Sequence, residues 1–403
     1  MENNQHQKHT KEIYNYAISS LLEKAAYYGL RAIAVLYMIG ETLKMENREA
    51  LTIYGWFTAS LVFSGIVGAI FGDLLIGNKK AILIGGVMQA IGAFVLCIPS
   101  LTGLYTGLFF VIVGSGFFTP NITSNFGKLY LKRTRLLDSG FTLLYSATNI
   151  GAFLGILVLG YLGEKYGYNI GFAFAGILML ISLIPILSSK EVILENDQKC
   201  EEFPLGKRVF SILVTCIIVG LFWGLYQMSN IRIFDLQLQL RELSTSDIPS
   251  YFWESINSVF VLPISLIMYV LWTYFYSSQF FKLLLGFVFG ATSLGILYLI
   301  PEAPTEEHTI TYLVSIIFLG IAEVHIAPII HSVLTKYSNP KYLAILISLS
   351  FLPTRLIYVI FGLFNEPVQE YPLLGVKFGI KWMTVIGVLL IGLVIWAKRS
   401  NKK

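Results

Sequence analysis

Five residues in one short stretch have the types and spacing to do chemistry. Glu23, Lys24, Tyr27, Tyr28 and Arg31 lie within LLEKAAYYGLRAIAVLY, a run that is otherwise apolar. In a helix, Lys24, Tyr27, Tyr28 and Arg31 recur at spacings of three, four and seven, so they share one face. Two cations and two phenols on one face suit a polar cavity. They fit badly against lipid, where ionisable groups are costly and mark function by default. A guanidinium such as Arg31 can grip a carboxylate through two parallel hydrogen bonds. Its alternative role is a structural ion pair without substrate.

The elements that must carry this face are membrane helices. The chain has 403 residues, 55% hydrophobic and 13% charged, against roughly 25% charged in soluble domains. Mean hydropathy is +0.70. Apolar runs of about 20 residues, long enough to span a bilayer, recur from end to end. Twelve spans are expected, near 14–39, 50–76, 80–98, 103–126, 139–162, 168–188, 207–232, 250–276, 280–300, 309–336, 341–364 and 376–397. The alternating ten-residue segments of a transmembrane barrel do not dominate. The first run is too long for a signal-peptide core and no small-residue cleavage site follows it, so it reads as an uncleaved span.

The longest polar stretch, 189–206, falls after the sixth span. The expected organisation is therefore an N-terminal six-helix bundle (1–188), a linker (189–206) and a C-terminal six-helix bundle (207–403). With both termini in the cytoplasm, nineteen of the 29 Lys and Arg residues fall on cytoplasmic segments and seven on outer ones. That is the bias the positive-inside rule demands. The net charge of +5 is thus topological, and nucleic acid is not an expected partner. The implied location is the inner or plasma membrane, and a monomer is expected.

Six spans, a linker and six more form the layout of a major facilitator transporter, an all-α membrane fold. In that fold substrate binds near the midplane between two helical bundles. GAIFGDLLIGNKK, between the second and third spans, resembles that superfamily's loop pattern. Gly68, Asp73 and Gly77 would serve gating structure there. A tight turn with topological lysines is the plainer alternative.

A narrower resemblance follows from the first span. SLLEKAAYYG is similar to the signature E-x-x-E-R-F-x-Y-Y-G of the proton-dependent oligopeptide transporters, with Glu23, Tyr27, Tyr28 and Gly29 in register. GSGFFTPNITSNFGKLY resembles the family's fourth-span stretch, and GFTLLYSATNIGAFLG its fifth-span stretch. FWGLYQ, IPSYFWESIN and AEVHIAP resemble stretches of spans seven, eight and ten. The pieces run through almost the whole chain in family order.

The resemblance implies a proton-coupled symporter of di- and tripeptides or similar zwitterions. It places Arg31 on the peptide carboxylate. It places Glu323, Asn149 and Asn257 on the ammonium, with Gln227, Tyr27 and Tyr28 completing the substrate side. The asparagines could equally be span-to-span hydrogen bonds, and Glu323 could pair with Arg355. Glu23, Lys24 and Glu323 would serve proton coupling. Four coupling positions depart from the family: Ser20 replaces a Glu, Lys24 an Arg, Thr119 a Lys and Gln227 an acid. The alternative is therefore the same fold carrying an amino acid or other non-peptide nutrient, with weak or absent coupling. His325, two residues from Glu323, is expected to pack elsewhere.

Enzymatic chemistry is not expected. There is no H-E-x-x-H, and no Ser-His or paired-Asp arrangement at usable spacing. Cys97, Cys200 and Cys216 have no disulfide or metal spacing. No cofactor is implied beyond the proton as coupling ion.

Overall fold

The computed structural model describes residues 8–40, 42–190, 203–244, 250–363 and 365–400. The expected linker therefore lies mostly outside the described residues. Lipid offers no hydrogen-bond partners, so each span must satisfy its backbone internally, and helices result. They are α1 (Glu12–Ile39), α2 (Asn47–Ile70), α3 (Asn78–Leu96), α4 (Leu101–Lys128), α5 (Leu137–Tyr166), α6 (Tyr168–Ser188), α7 (Leu205–Leu243) and α8 (Ser250–Tyr274). Then come α9 (Gln279–Tyr298), α10 (His308–Ile326), α11 (Ile329–Tyr337), α12 (Leu343–Leu349), α13 (Phe351–Gly362), α14 (Asn365–Glu370) and α15 (Pro372–Ser400).

Eleven stretches among the described residues are long and apolar enough to cross a membrane. The first helix is not one of them, because Glu23, Lys24 and Arg31 interrupt it. Its 28 residues and its packing against α5 and α6 make it the twelfth span.

Three spans differ from their sequence outlines. Helix α7 continues past residue 232 to Leu243 and has 39 residues, about 58 Å at 1.5 Å per residue. Leu236 and Leu240 on the extension are fully buried, which explains why it persists. The tenth span breaks at Ala327-Pro328, where proline cannot donate a backbone hydrogen bond. The eleventh breaks at Ser350, between α12 and α13.

The chain divides into two compact units. Unit 1 holds Met1–Phe203 and Leu334–Leu349; unit 2 holds Pro204–Val333 and Ser350–Lys403. In unit 1, glycines set the helix spacing. A Cβ on Gly151 would come 2.1 Å from Leu21 O, and one on Gly155 would come 2.0 Å from Ala25 O. The row Leu21, Ala25, Gly29 therefore lies flat on α5. This fixes the rotation of α1 and turns Lys24 and Arg31 toward α4 and α2.

Helix α2 continues as a π-helical stretch, Phe71–Ile76, and the chain turns at Gly77 with φ of 86°. Side chains other than glycine rarely adopt that φ. Beside the turn lies a buried polar network. Asn78 Nδ2 donates to Asp73 Oδ1 (3.0 Å) and to Asn121 Oδ1 (2.7 Å). Lys128 Nζ donates to Asn78 Oδ1 (2.6 Å) and lies 3.5 Å from Asp73 Oδ1. Asp73 Oδ2 accepts from the backbone N–H of Ile345 on α12 (3.0 Å). Asp73 thus binds α12 to the rest of unit 1. Gly68 lies so close to α4 that a Cβ would meet Gly116 O at 2.3 Å.

Candidate functional site

Unit 1 carries the charged face of α1. The Glu23 carboxylate is fully buried, 3.0 Å from Lys24 Nζ, whose side chain is 12% exposed. Neither oxygen of Glu23 has an aligned hydrogen bond among the described residues, so charge contact with Lys24 is what compensates its burial. Lys24 also donates to Thr119 Oγ1 on α4 (3.0 Å). Ser20 Oγ is 3.3 Å from Thr148 Oγ1 on α5.

One turn further, Arg31 sits among three tyrosines. Its guanidinium carbon is 5.6 Å from the ring centre of Tyr27, 5.5 Å from that of Tyr28 and 5.3 Å from that of Tyr54. Its Nη2 donates to the Tyr54 hydroxyl, while Nε has no partner among the described residues. Such cation–π contacts are worth about 0.5–2 kcal/mol each. Tyr27 is buried and stacks on Phe57 of α2, with ring centres 6.4 Å apart; Tyr28 is half-buried. The two rings meet edge to face at 5.3 Å. The result is a guanidinium held in place by aromatic faces, with no carboxylate closing it among the described residues.

Asn149 on α5 is half-buried and donates its amide to Tyr145 O, one turn back (2.9 Å). Among the described residues no donor reaches its side-chain carbonyl.

Unit 2 carries the other polar group. Glu323 on α10 is 6% exposed, and Asn257 on α8 donates Nδ2–H to its Oε1 (3.3 Å). Arg355, the alternative partner, is exposed on α13. His325 turns away from Glu323. Its Nδ1 lies 2.7 Å from Ile321 O, and its ring packs against Trp272 and Phe289, a packing histidine as expected. Gln227 lies exposed on α7.

The structure thus brings Glu23 to Lys24, Arg31 to Tyr27 and Tyr28, and Asn257 to Glu323. It also adds residues that sequence reasoning missed. Tyr54 and Phe57 complete the box around Arg31. Their only sequence signal was an aromatic pair at i, i+3 in the second span, which core packing also produces.

Long apolar helices with ionisable groups buried in both units define a multi-pass helical membrane protein. Residues 79–199 match the family model described as PTR2, POT family.

A Bacillus subtilis (strain 168) protein, "Uncharacterized transporter YclF", is 33% identical over 181 residues, 44% of this chain and 37% of that protein. "Dipeptide and tripeptide permease A" of Serratia proteamaculans (strain 568) is 29% identical over 210 residues, 51% of this chain and 41% of that protein. The chain spans about two fifths of the length of these curated relatives.

Among solved structures, a POT family transporter in complex with a thioalcohol-conjugated peptide aligns with a TM-score of 0.68 at 21% identity, covering 97% of each chain. A POT family transporter in complex with 5-aminolevulinic acid aligns with a TM-score of 0.67 at 21% identity, again over 97% of each. These likenesses bear on the fold.

Proposed function

We propose that this protein is a secondary transporter that imports di- or tripeptides, or similar zwitterions, together with protons by alternating access. The observation that carries the proposal is the division of charge between the units. Unit 1 offers a tyrosine-held guanidinium, Arg31, with no acid closing it among the described residues. Unit 2 offers a buried carboxylate, Glu323, whose partner among the described residues is the Asn257 amide. A guanidinium suits a carboxylate and an acid–amide pair suits an ammonium, the two ends of a peptide. Both stand at membrane depth, where unpaired ionisable groups persist for function.

Asn149 adds an acceptor for the ammonium, and Tyr28 and Gln227 line the substrate path. Glu23 and Glu323 are the proton carriers, with Lys24 tuning Glu23. We place both termini in the cytoplasm, on the strength of the Lys and Arg bias, and take the working unit to be a monomer. The driving force is the proton gradient plus the potential, about 2.3 kcal/mol per charge per 100 mV.

Dialanine uptake into proteoliposomes at two external pH values, for wild type and Arg31→Ala, tests the proposal. Wild type should take up more at acid external pH, and the variant should lose at least tenfold in uptake, the cost of about one to two charge-assisted hydrogen bonds. Unchanged transport by the variant would remove the main assignment.

A second reading keeps the fold and changes the cargo. Thr119 and Gln227 stand where the family carries charge, which favours a smaller zwitterion without strict coupling. 5-Aminolevulinic acid and a dipeptide share an ammonium beside a carbonyl, so the two readings differ at the far end of the ligand. Robust amino-acid uptake that dialanine does not inhibit would select the second.

A further inference from the structure

Glu323 and Asn257 are only part of what α8 and α10 bury in unit 2. Asn257 spends its amide N–H on Glu323 (3.3 Å). Its carbonyl oxygen Oδ1 is then shielded from solvent with no donor among the described residues. Four residues earlier on α8, Trp253 is 2% exposed, and its indole Nε1–H has no acceptor among the described residues.

The backbone beside Trp253 is held. Gln237 on α7 donates Nε2–H to Trp253 O (2.8 Å). Trp253 and Asn257 stand at i, i+4, so they lie on the same face of α8, about 6 Å apart along the axis. Helix α8 packs on α10, and Asn257 joins this face to Glu323.

A buried donor or acceptor left unmet destabilises the protein that keeps it, and most buried polar groups are paired. Two such atoms within one turn, next to a buried carboxylate, point to a ligand that completes them. The complement is defined atom by atom. A carboxylate and an amide oxygen want a donor-rich cation, and an indole N–H wants a neutral acceptor about one turn outward along α8.

We infer that Trp253 reads the carbonyl next to the ammonium of the ligand, which makes α-amino carbonyl compounds the substrate class of this end. The ammonium donates to Glu323 and to Asn257 Oδ1, and the adjacent carbonyl oxygen accepts from Trp253 Nε1–H. The inference rests on the assignment of Glu323 and Asn257 to the ammonium. It adds a specificity-determining residue. A simple alkylamine would satisfy Glu323 and leave the indole unmet. A site built to hydrogen-bond a group rejects analogues that lack it.

The test uses the full chain in detergent and two ligands, dialanine and its (E)-alkene isostere, in which a carbon–carbon double bond replaces the amide and no peptide carbonyl remains. Wild type should bind dialanine roughly tenfold more tightly than the isostere, the effect of one neutral hydrogen bond. Trp253→Phe keeps the ring and removes the N–H, so it should bind both about equally. A gap that persists in Trp253→Phe overturns the inference.

Glu323→Gln separates this failure from failure of the underlying assignment. It should weaken both ligands alike, and undiminished binding there defeats the ammonium reading itself. Should Trp253→Phe not fold, the 15N-indole resonances of wild type decide. One of the six tryptophan signals should shift with dialanine and not with the isostere. No such selective shift, as expected if the indole meets only a water, overturns the inference.

Discussion

Lys24 shows how one side chain can change partners without leaving its site. Glu23 is fully buried, and its nearest compensation is the Lys24 ammonium at 3.0 Å. The same ammonium reaches Thr119 on α4, the position where the family resemblance expects a lysine. The first-span cation thus reaches the fourth-span position whose own cation is missing. The swap also balances, since Ser20 takes the place of an acid as Thr119 takes the place of a base. Removing Lys24 alone should strand a buried carboxylate. We expect Lys24→Met to lower stability by roughly 3 kcal/mol, the usual cost of breaking a buried pair from one side. The double variant Glu23→Gln, Lys24→Met should recover most of that. Chemical denaturation in detergent would measure both. Equal destabilisation of the single and double variants would mean that Lys24 contributes packing and not charge.

At the scale of elements, α1 is placed by α5. The contacts of Gly151 and Gly155 with the backbone of Leu21 and Ala25 leave no room for a methyl group. Gly155→Ala must part the helices, since its Cβ would meet a backbone carbonyl and not a movable side chain. Overpacking of this kind costs about 1–3 kcal/mol. It should also pull Lys24 from Thr119, so dialanine uptake should fall with stability. Gly160, on the same helix, has nothing within 4 Å of an added Cβ. Gly160→Ala should be neutral or slightly stabilising, as alanine is the better helix former. Equal melting temperatures for the two variants would show that the close approach does not set the packing.

The same elements show what was legible in advance. Twelve apolar runs were sufficient to mark the spans as helical, because a membrane leaves the backbone no other solution, although the breaks within the tenth and eleventh divide them into more helices than runs. The residues bearing charge at depth were visible for the same reason. The partners were not. Lys24 and Thr119 are 95 positions apart, and Arg31 and Tyr54 are 23 apart. Periodicity orients a helix face without saying which neighbour it meets. The extension of α7 was hidden too, since Asp235, Gln237, Gln239 and Arg241 interrupt its apolar pattern. It is Leu236 and Leu240, packed in the core, that keep it helical.

For the whole molecule the open issue is whether charge moves with the cargo. A dipeptide zwitterion carries no net charge, so a membrane potential does no work on it alone. A potential that drives accumulation must act on a cation that travels too. The residues leave room for that cation, with Glu23 beside Lys24 in unit 1 and Glu323 beside Asn257 in unit 2. They also remove one carrier, because Gln227 cannot titrate. A single co-transported proton at 100 mV is worth about 2.3 kcal/mol, close to fiftyfold accumulation at 1.4 kcal/mol per tenfold. Proteoliposomes with an interior-negative potassium diffusion potential and equal pH on both sides should therefore concentrate dialanine by up to that factor. Collapsing the potential should return the internal concentration to the external one. Uptake that only equalises the two concentrations, with the potential or without it, would make this protein a uniporter, with Glu323 serving recognition alone and the Glu23–Lys24 pair serving structure.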